Sequence, residues 1–167
     1  MWIARTLGHM SRRDDGARVA AAFGDLLLRS SRAHLYRVLI ADTEGVDGTT
    51  YPVLSGLARL GPATTSELAA RIGLERTVTT RYATRLEQAG LLARQPHPTD
   101  ARATTLVLTE LGERTVGAMR ERLRDVFVDA MADWTAEESA TFTRLFDRLV
   151  TGLADPQTAP SSRPSSP

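Results

Sequence analysis

Thr64-Thr65-Ser66-Glu67-Leu68-Ala69-Ala70-Arg71-Ile72-Gly73-Leu74, continued by Glu75-Arg76-Thr77-Val78-Thr79-Thr80-Arg81-Tyr82-Ala83-Thr84-Arg85-Leu86-Glu87-Gln88-Ala89-Gly90, is the stretch that decides the fold. Thr64 and Glu67 have the spacing of a capping box, so a helix opens there. It carries Leu68, Ala69 and Ile72 and breaks at Gly73. A small alanine where two helices cross, a glycine for the tight turn and apolar residues sealing the corner are what a helix-turn-helix needs. The second helix is predicted from about Arg76 to Ala89, with Gly90 as its stop.

On a wheel of about 100° per residue with Thr77 at zero, Thr80, Arg81, Thr84 and Gln88 fall within about 60°, and Arg85 lies at about 80°. Tyr82, Ala83, Leu86 and Ala89 gather opposite, with Thr79 among them. One face is therefore core, and the other offers hydroxyls, an amide and guanidinium groups. Threonine hydroxyls bond phosphates or base edges, and an arginine fork bridges guanine O6 and N7. Ordinary solvated helices alternate charge signs, but no carboxylate interrupts this face; Glu87 lies off it.

Leu91 to Gln95 and Ala103 to Leu108 then read as a small antiparallel hairpin with a polar, proline-bearing tip, Pro96-His97-Pro98-Thr99-Asp100. Arg94 leaves the first strand, and Asp100-Ala101-Arg102 returns to the second. An aspartate two residues before an arginine at a turn holds the guanidinium extended. An extended arginine on a thin loop suits a narrow, negative minor groove.

Further out, apolar residues recur at three and four from Ala17 to Ala41, predicting one long amphipathic helix. Another is expected from Thr50 to Leu60, ended by Gly61-Pro62. Thr109 caps a long helix bearing Val116, Met119, Leu123, Val126, Phe127, Ala130 and Trp134. Thr135 and Glu138 form a second capping box, opening a last helix with Phe142, Leu145, Phe146, Leu149, Val150 and Leu153. The fold class is thus mainly α with a small antiparallel β-hairpin wing: a winged helix-turn-helix plus a helical dimerisation region. The domain reading follows as 1–16, a flexible N-terminal extension; 17–46 and 110–155, the helical dimerisation region; 47–109, the DNA-binding domain; and 156–167, a disordered Pro/Ser tail.

Composition narrows the function. The 167 residues are 42% hydrophobic and hold no cysteine, which excludes disulfides and thiolate chemistry. His9, His34 and His97 are too scattered for a local metal motif, and neither a metal nor a cofactor is expected. No glycine-rich phosphate loop, His-Glu-x-x-His motif or grouped nucleophile and base points to an enzyme. No apolar run reaches a membrane span, and the N-terminus lacks a secretory core, so a cytoplasmic location is expected. The net charge of +1 hides a polarity, because residues 76–102 hold five arginines against two acids while residues 113–155 hold six against nine. All 21 basic residues are arginine, the cation suited to bidentate phosphate and guanine contacts.

Leu68-Ala69-Ala70-Arg71-Ile72-Gly73-Leu74, Arg81, Arg85-Leu86-Glu87-Gln88-Ala89-Gly90-Leu91-Leu92, Arg94-x-Pro96-x-Pro98-x-Asp100-x-Arg102 and Leu108-Thr109-x-x-Gly112 together resemble the winged helix-turn-helix of the MarR family of transcriptional regulators. The resemblance covers about residues 17–153. It implies a homodimer with intertwined terminal helices, recognition helices in successive major grooves and wings in the flanking minor grooves. Arg76, Thr77, Thr80 and Arg81 match base- and phosphate-reading positions, and Thr84 and Arg85 share their face. Arg94 and Arg102 match wing contacts, and Asp100 matches the acid that orients the wing arginine.

Two residues depart from the pattern: Thr79 stands where an aliphatic core residue is usual, and Ala101 where many relatives carry another base. The missing cysteines set the chain apart from the branch that resembles peroxide sensors. The resemblance further implies a phenolic or anionic small-molecule effector, for which His34, Tyr36, Arg37 and Tyr51 lie on helices able to line a cleft. The expected function is a ligand-responsive repressor acting as a homodimer on a near-palindromic double-stranded operator. The competing reading is a winged-helix protein-interaction module that does not bind DNA.

Overall fold

The computed structural model describes residues 11–97, 99 and 103–154. Among them are seven helices: α1 (Arg12–Leu27), α2 (Arg29–Leu39), α3 (Tyr51–Leu60), α4 (Thr65–Ile72), α5 (Arg76–Gln88), α6 (Glu110–Ala130) and α7 (Ala136–Ala154). Three short strands accompany them: β1 (Ala63–Thr64), β2 (Leu92–Pro96) and β3 (Thr104–Leu108). The expected class, mainly α with a winged helix-turn-helix, is the one found. Two compact units divide the chain, residues 1–123 and 124–167.

The helix expected over 17–41 is two helices. Leu28 is extended (φ −55°, ψ 139°) and separates α1 from α2. Periodicity could not reveal this break, because Leu27 and Leu35 are eight residues apart and stay in phase across it. The onset also moves, to Arg12, because Ser11 accepts from the Asp14 amide while the Asp14 carboxylate accepts from the Ser11 amide. Residues 12–16 are therefore helical. The predicted tail, 156–167, lies outside the described residues.

The hairpin pairs Leu92 with Leu108, Arg94 with Leu106 and Pro96 with Thr104. Sequence reading missed β1, which adds to the far edge of β3 through Ala63 and Leu106, giving the order β1-β3-β2. Two residues are too few to show alternation. The wing root is consequently a three-stranded sheet tied to the residues that open α4.

One core sits beneath these elements, formed by Val53, Leu54 and Leu57 of α3, Leu68 of α4, Ala83 and Leu86 of α5, Leu91, Leu92 and Leu106 of the sheet region, and Val116 and Met119 of α6. Gly56 on α3 lets α4 approach, since a Cβ there would stand 2.5 Å from Ile72 Cγ2. The start of α6 is pinned to the end of α5. Thr109 Oγ1 donates to the Gly90 carbonyl at 2.6 Å and accepts from the Gly112 amide at 3.0 Å, while the Thr109 amide donates to the Leu91 carbonyl. Further along α6, Arg122 donates to the Leu39 carbonyl and to Thr43 Oγ1, joining α6 to the end of α2.

In the second unit, the Thr135–Glu138 capping box forms as expected. Trp134 meets Phe142 edge-on at 5.1 Å, and Phe142 stacks on Phe146 at 5.5 Å.

Gly112 is the position where the fold leaves least room, because an added Cβ would lie 1.9 Å from the Leu91 carbonyl oxygen. Gly112→Ala is expected to cost about 1–3 kcal/mol, the usual range for forced overpacking. Thermal unfolding checks it, and an unchanged midpoint would refute the close approach.

Candidate nucleic-acid interface

The turn between α4 and α5 forms for the reason its residues suggest. Ala69 is buried, Gly73 adopts the left-handed conformation (φ 68°, ψ 33°), and the Leu74 amide donates back to the Ala69 carbonyl at 3.1 Å. α5 then buries Thr79, Ala83 and Leu86 completely. Arg76, Thr77, Thr80, Arg81, Arg85 and Gln88 are exposed, and Thr84 is half-buried. The two-faced helix read from the wheel is therefore present, with its hydroxyl and guanidinium side outward.

Thr79 is compatible with the core because its hydroxyl donates to the Glu75 carbonyl one turn back, at 3.0 Å, and is satisfied within its own helix. Thr80 donates likewise to Arg76, and Thr84 to Thr80. Glu75 caps α5 by its backbone alone, without a side-chain bond. Arg76 and Arg81 are not ion-paired among the described residues. The Arg81 guanidinium lies 5.2 Å from the ring centre of Tyr82, within the range of a cation–π contact.

The other two arginines of this surface are engaged inside the protein. Arg85 Nη2 lies 2.5 Å from Asp47 Oδ2, and its Nη1 donates to Thr49 Oγ1 at 3.2 Å. Arg94 Nε donates to Glu87 Oε2 at 2.9 Å and its Nη2 to Thr84 Oγ1 at 3.0 Å. Sequence reading missed Asp47, Thr49 and Glu87 as partners. No local signal marks Asp47, 38 residues from Arg85. Glu87 carried only its position off the exposed face. Asp100 and Arg102, expected at the wing tip, lie outside the described residues, as do Pro98 and Ala101.

A separate cleft of about 500 Å³ is lined by Arg32, Tyr36, Arg37, Thr49, Pro52 and Tyr82, among others. It brings together Tyr36 and Arg37 of the four residues the sequence suggested. Tyr51 packs behind, its ring 4.8 Å from that of Tyr36, and its burial raises the phenol pKa. His34 is exposed and outside the lining. Among the described residues no group of three or more His, Cys, Asp or Glu is placed to hold a metal, and no helix is long and apolar enough to cross a membrane.

A helix-turn-helix followed by a sheet-rooted wing, with a polar face outward on its second helix, defines a winged helix-turn-helix protein. Residues 49–104 match the model of the MarR family. The chain is 27% identical over 92 residues to the uncharacterized HTH-type transcriptional regulator YxaD of Bacillus subtilis (strain 168), a match that takes in 55% of this chain. That match spans 64% of the relative's length, slightly under two thirds. Among solved structures, a MarR family protein from Bacillus stearothermophilus is similar at TM-score 0.66 and 26% identity, over 83% of this chain and 98% of that one. Wild-type MarR from E. coli is similar at TM-score 0.62 and 20% identity, over 80% and 95%. The fold is the one these MarR structures share.

Asp47 makes one part of this surface acid-sensitive. Desolvation raises its pKa, but hydrogen bonds from the Thr49 hydroxyl, Arg85 and the Thr50 and Thr49 amides outweigh that and hold the carboxyl well below its ordinary range. A carboxyl whose folded pKa is lowered contributes stability above its unfolded value, near 4, and loses it as pH falls toward the folded one. Stability should therefore decline below about pH 4, and Asp47→Asn should flatten part of that decline. Urea unfolding at a series of acid pH values checks this, and identical acid limbs for parent and variant would remove Asp47 as a contributor.

Proposed function

We propose that this chain is a repressor that binds a near-palindromic operator as a homodimer and is released by a small anionic or phenolic compound. The observation that carries the reading is the exposed side of α5, where Arg76, Thr77, Thr80 and Arg81 stand together with neither arginine ion-paired among the described residues. In a major groove the two guanidinium groups would reach guanine edges or phosphates, and the threonines would meet phosphates or thymine methyls. Arg102, oriented by Asp100, would enter the adjoining minor groove from the wing tip.

Dimerisation is supported by apolar stripes that no described residue of the chain covers. On α1, Val19, Phe23, Leu26 and Leu27 are exposed, and no residue of that helix is buried. On α7, Phe142, Leu145, Phe146, Leu149 and Val150 are exposed in the same way, and that helix too has no buried residue. Contiguous exposed apolar surface of this kind marks an interaction site. A second copy of the chain is the occupant that two-fold operator reading requires. A soluble DNA-binding dimer of this sort works in the cytoplasm.

The effector reading is supported by the cleft between α2, α3 and α5. Arg32 and Arg37 supply positive charge, Tyr36, Tyr82 and Pro52 supply flat apolar walls, and no carboxylate lines it. An aromatic carboxylate fits those groups. Loss of the protein–operator complex on adding benzoate is the corresponding readout, and a complex indifferent to benzoate and to simple phenols would remove this part of the reading.

The deciding experiment is operator binding with a duplex selected by the protein from a randomised pool. Arg81→Ala should weaken the specific complex by about 1–3 kcal/mol and relax preference at one base position in each half-site. Parental affinity in that variant would undo the assignment of α5 as the reading helix. Phe146→Glu places a carboxylate in the apolar stripe of α7 and should shift the protein from dimer to monomer in sedimentation equilibrium, with loss of the two-fold complex. A variant that remains dimeric would move the interface elsewhere.

A further inference from the structure

Arg85 and Arg94 sit on or beside the surface that faces DNA in the reading above, and both would ordinarily be counted as phosphate contacts. Their surroundings point elsewhere. Asp47 is a prepared acceptor, since its Oδ1 already takes the Thr49 amide at 2.8 Å, the Thr49 hydroxyl at 2.6 Å and the Thr50 amide at 2.9 Å. The turn before α3 thus holds the carboxylate, and Oδ2 is left to meet Arg85. The same guanidinium also donates to Thr49 Oγ1, so two of its nitrogens are tied to one turn.

Arg94 repeats the arrangement from the other side. Its Nε and Nη2 reach Glu87 and Thr84, both on α5, from strand β2. The Thr84 hydroxyl passes the chain on to the Thr80 carbonyl at 3.1 Å. The C-terminal half of α5 is therefore gripped twice, by the turn before α3 and by the root of the wing. For either arginine to reach a phosphate it would abandon a carboxylate that stays behind close to the DNA, so the exchange gains little charge neutralisation.

We infer that Arg85 and Arg94 are positioning residues that fix α5 against the α3 turn and the wing, not phosphate contacts, and that Asp47 and Glu87 favour operator binding despite their negative charge. The inference rests on the operator-binding reading. It also changes the charge of the surface: of the four described arginines in 76–102, two are neutralised in place, and contact from α5 falls to Arg76 and Arg81.

The test is a double-mutant cycle on the selected operator, run over a salt series. If Arg85 positions the helix, Arg85→Ala and Asp47→Asn each weaken binding, the double variant is no weaker than the worse single one, and the slope of log K against log salt stays at the parental value. Arg81→Ala, run alongside, should lower that slope by about one. If Arg85 instead contacts phosphate, Arg85→Ala lowers the slope by about one and Asp47→Asn binds more tightly than the parent; either result overturns the inference, as does parental affinity in Arg85→Ala. The Arg94→Ala and Glu87→Gln pair gives the same two sets of outcomes without touching the turn before α3. Should the parent select no duplex at all, the regulator reading fails while the positioning role is still decided by the same cycles in thermal unfolding. There, non-additive losses support it and additive ones overturn it.

Discussion

Thr79, Ala83 and Leu86 are wholly buried along one side of α5, and their burial sets the rotation of that helix about its own axis. A turn of one residue, about 100°, would carry either Thr80 or Arg81 toward the core, according to its sense, and expose Leu86. Burying a leucine side chain is worth roughly 1.5–3 kcal/mol, so the rotation is strongly determined even in a small domain. Every group on the outward side of α5 depends on this choice. The core that enforces it is assembled from α3, α4, the sheet and α6, which is why a helix of thirteen residues needs most of the first unit behind it.

Rotation is one constraint and placement along the surface is another. The hydroxyl of Thr109 and the close approach at Gly112 seat α6 on the end of α5, while β1 ties the wing sheet to the residues that open α4. Around the C-terminal half of α5 the arginine forks add directional bonds to non-directional packing. Apolar contact alone tolerates small slides, whereas a fork bonded to two acceptors does not. The near-neutral net charge of the chain is consistent with this economy, since cations used for internal geometry are matched by acids close by.

Much of the architecture was legible because local chemistry announces it. Both capping boxes, at Thr64 and Thr135, form with the partners their spacing implies. Gly73 and Gly90 take positive φ where helices were expected to stop. The exposed and buried sides of α5 follow the wheel, except that Thr84 on the outward side is half-buried and bonded by Arg94. What was missed carries no periodic or local mark: the single extended residue at Leu28, which keeps the apolar repeat in phase, and the two-residue strand β1, too short for alternation. The wrongly unbroken helix over 17–41 and the missing strand share that cause.

The sequence by itself determined the order of helices from α3 onward, the helix-turn-helix, the hairpin and which side of α5 faces outward, because caps, glycine turns and apolar repeats act over three or four residues. Only the tertiary structure decided which arginines on that surface are ion-paired. Arg85 meets a carboxylate 38 residues away, and Arg94 crosses from a strand to the preceding helix. Identical guanidinium groups on one surface therefore differ in what they can do. A charge is defined by what lies within a few ångströms of it, and the chain brings those neighbours together only by folding.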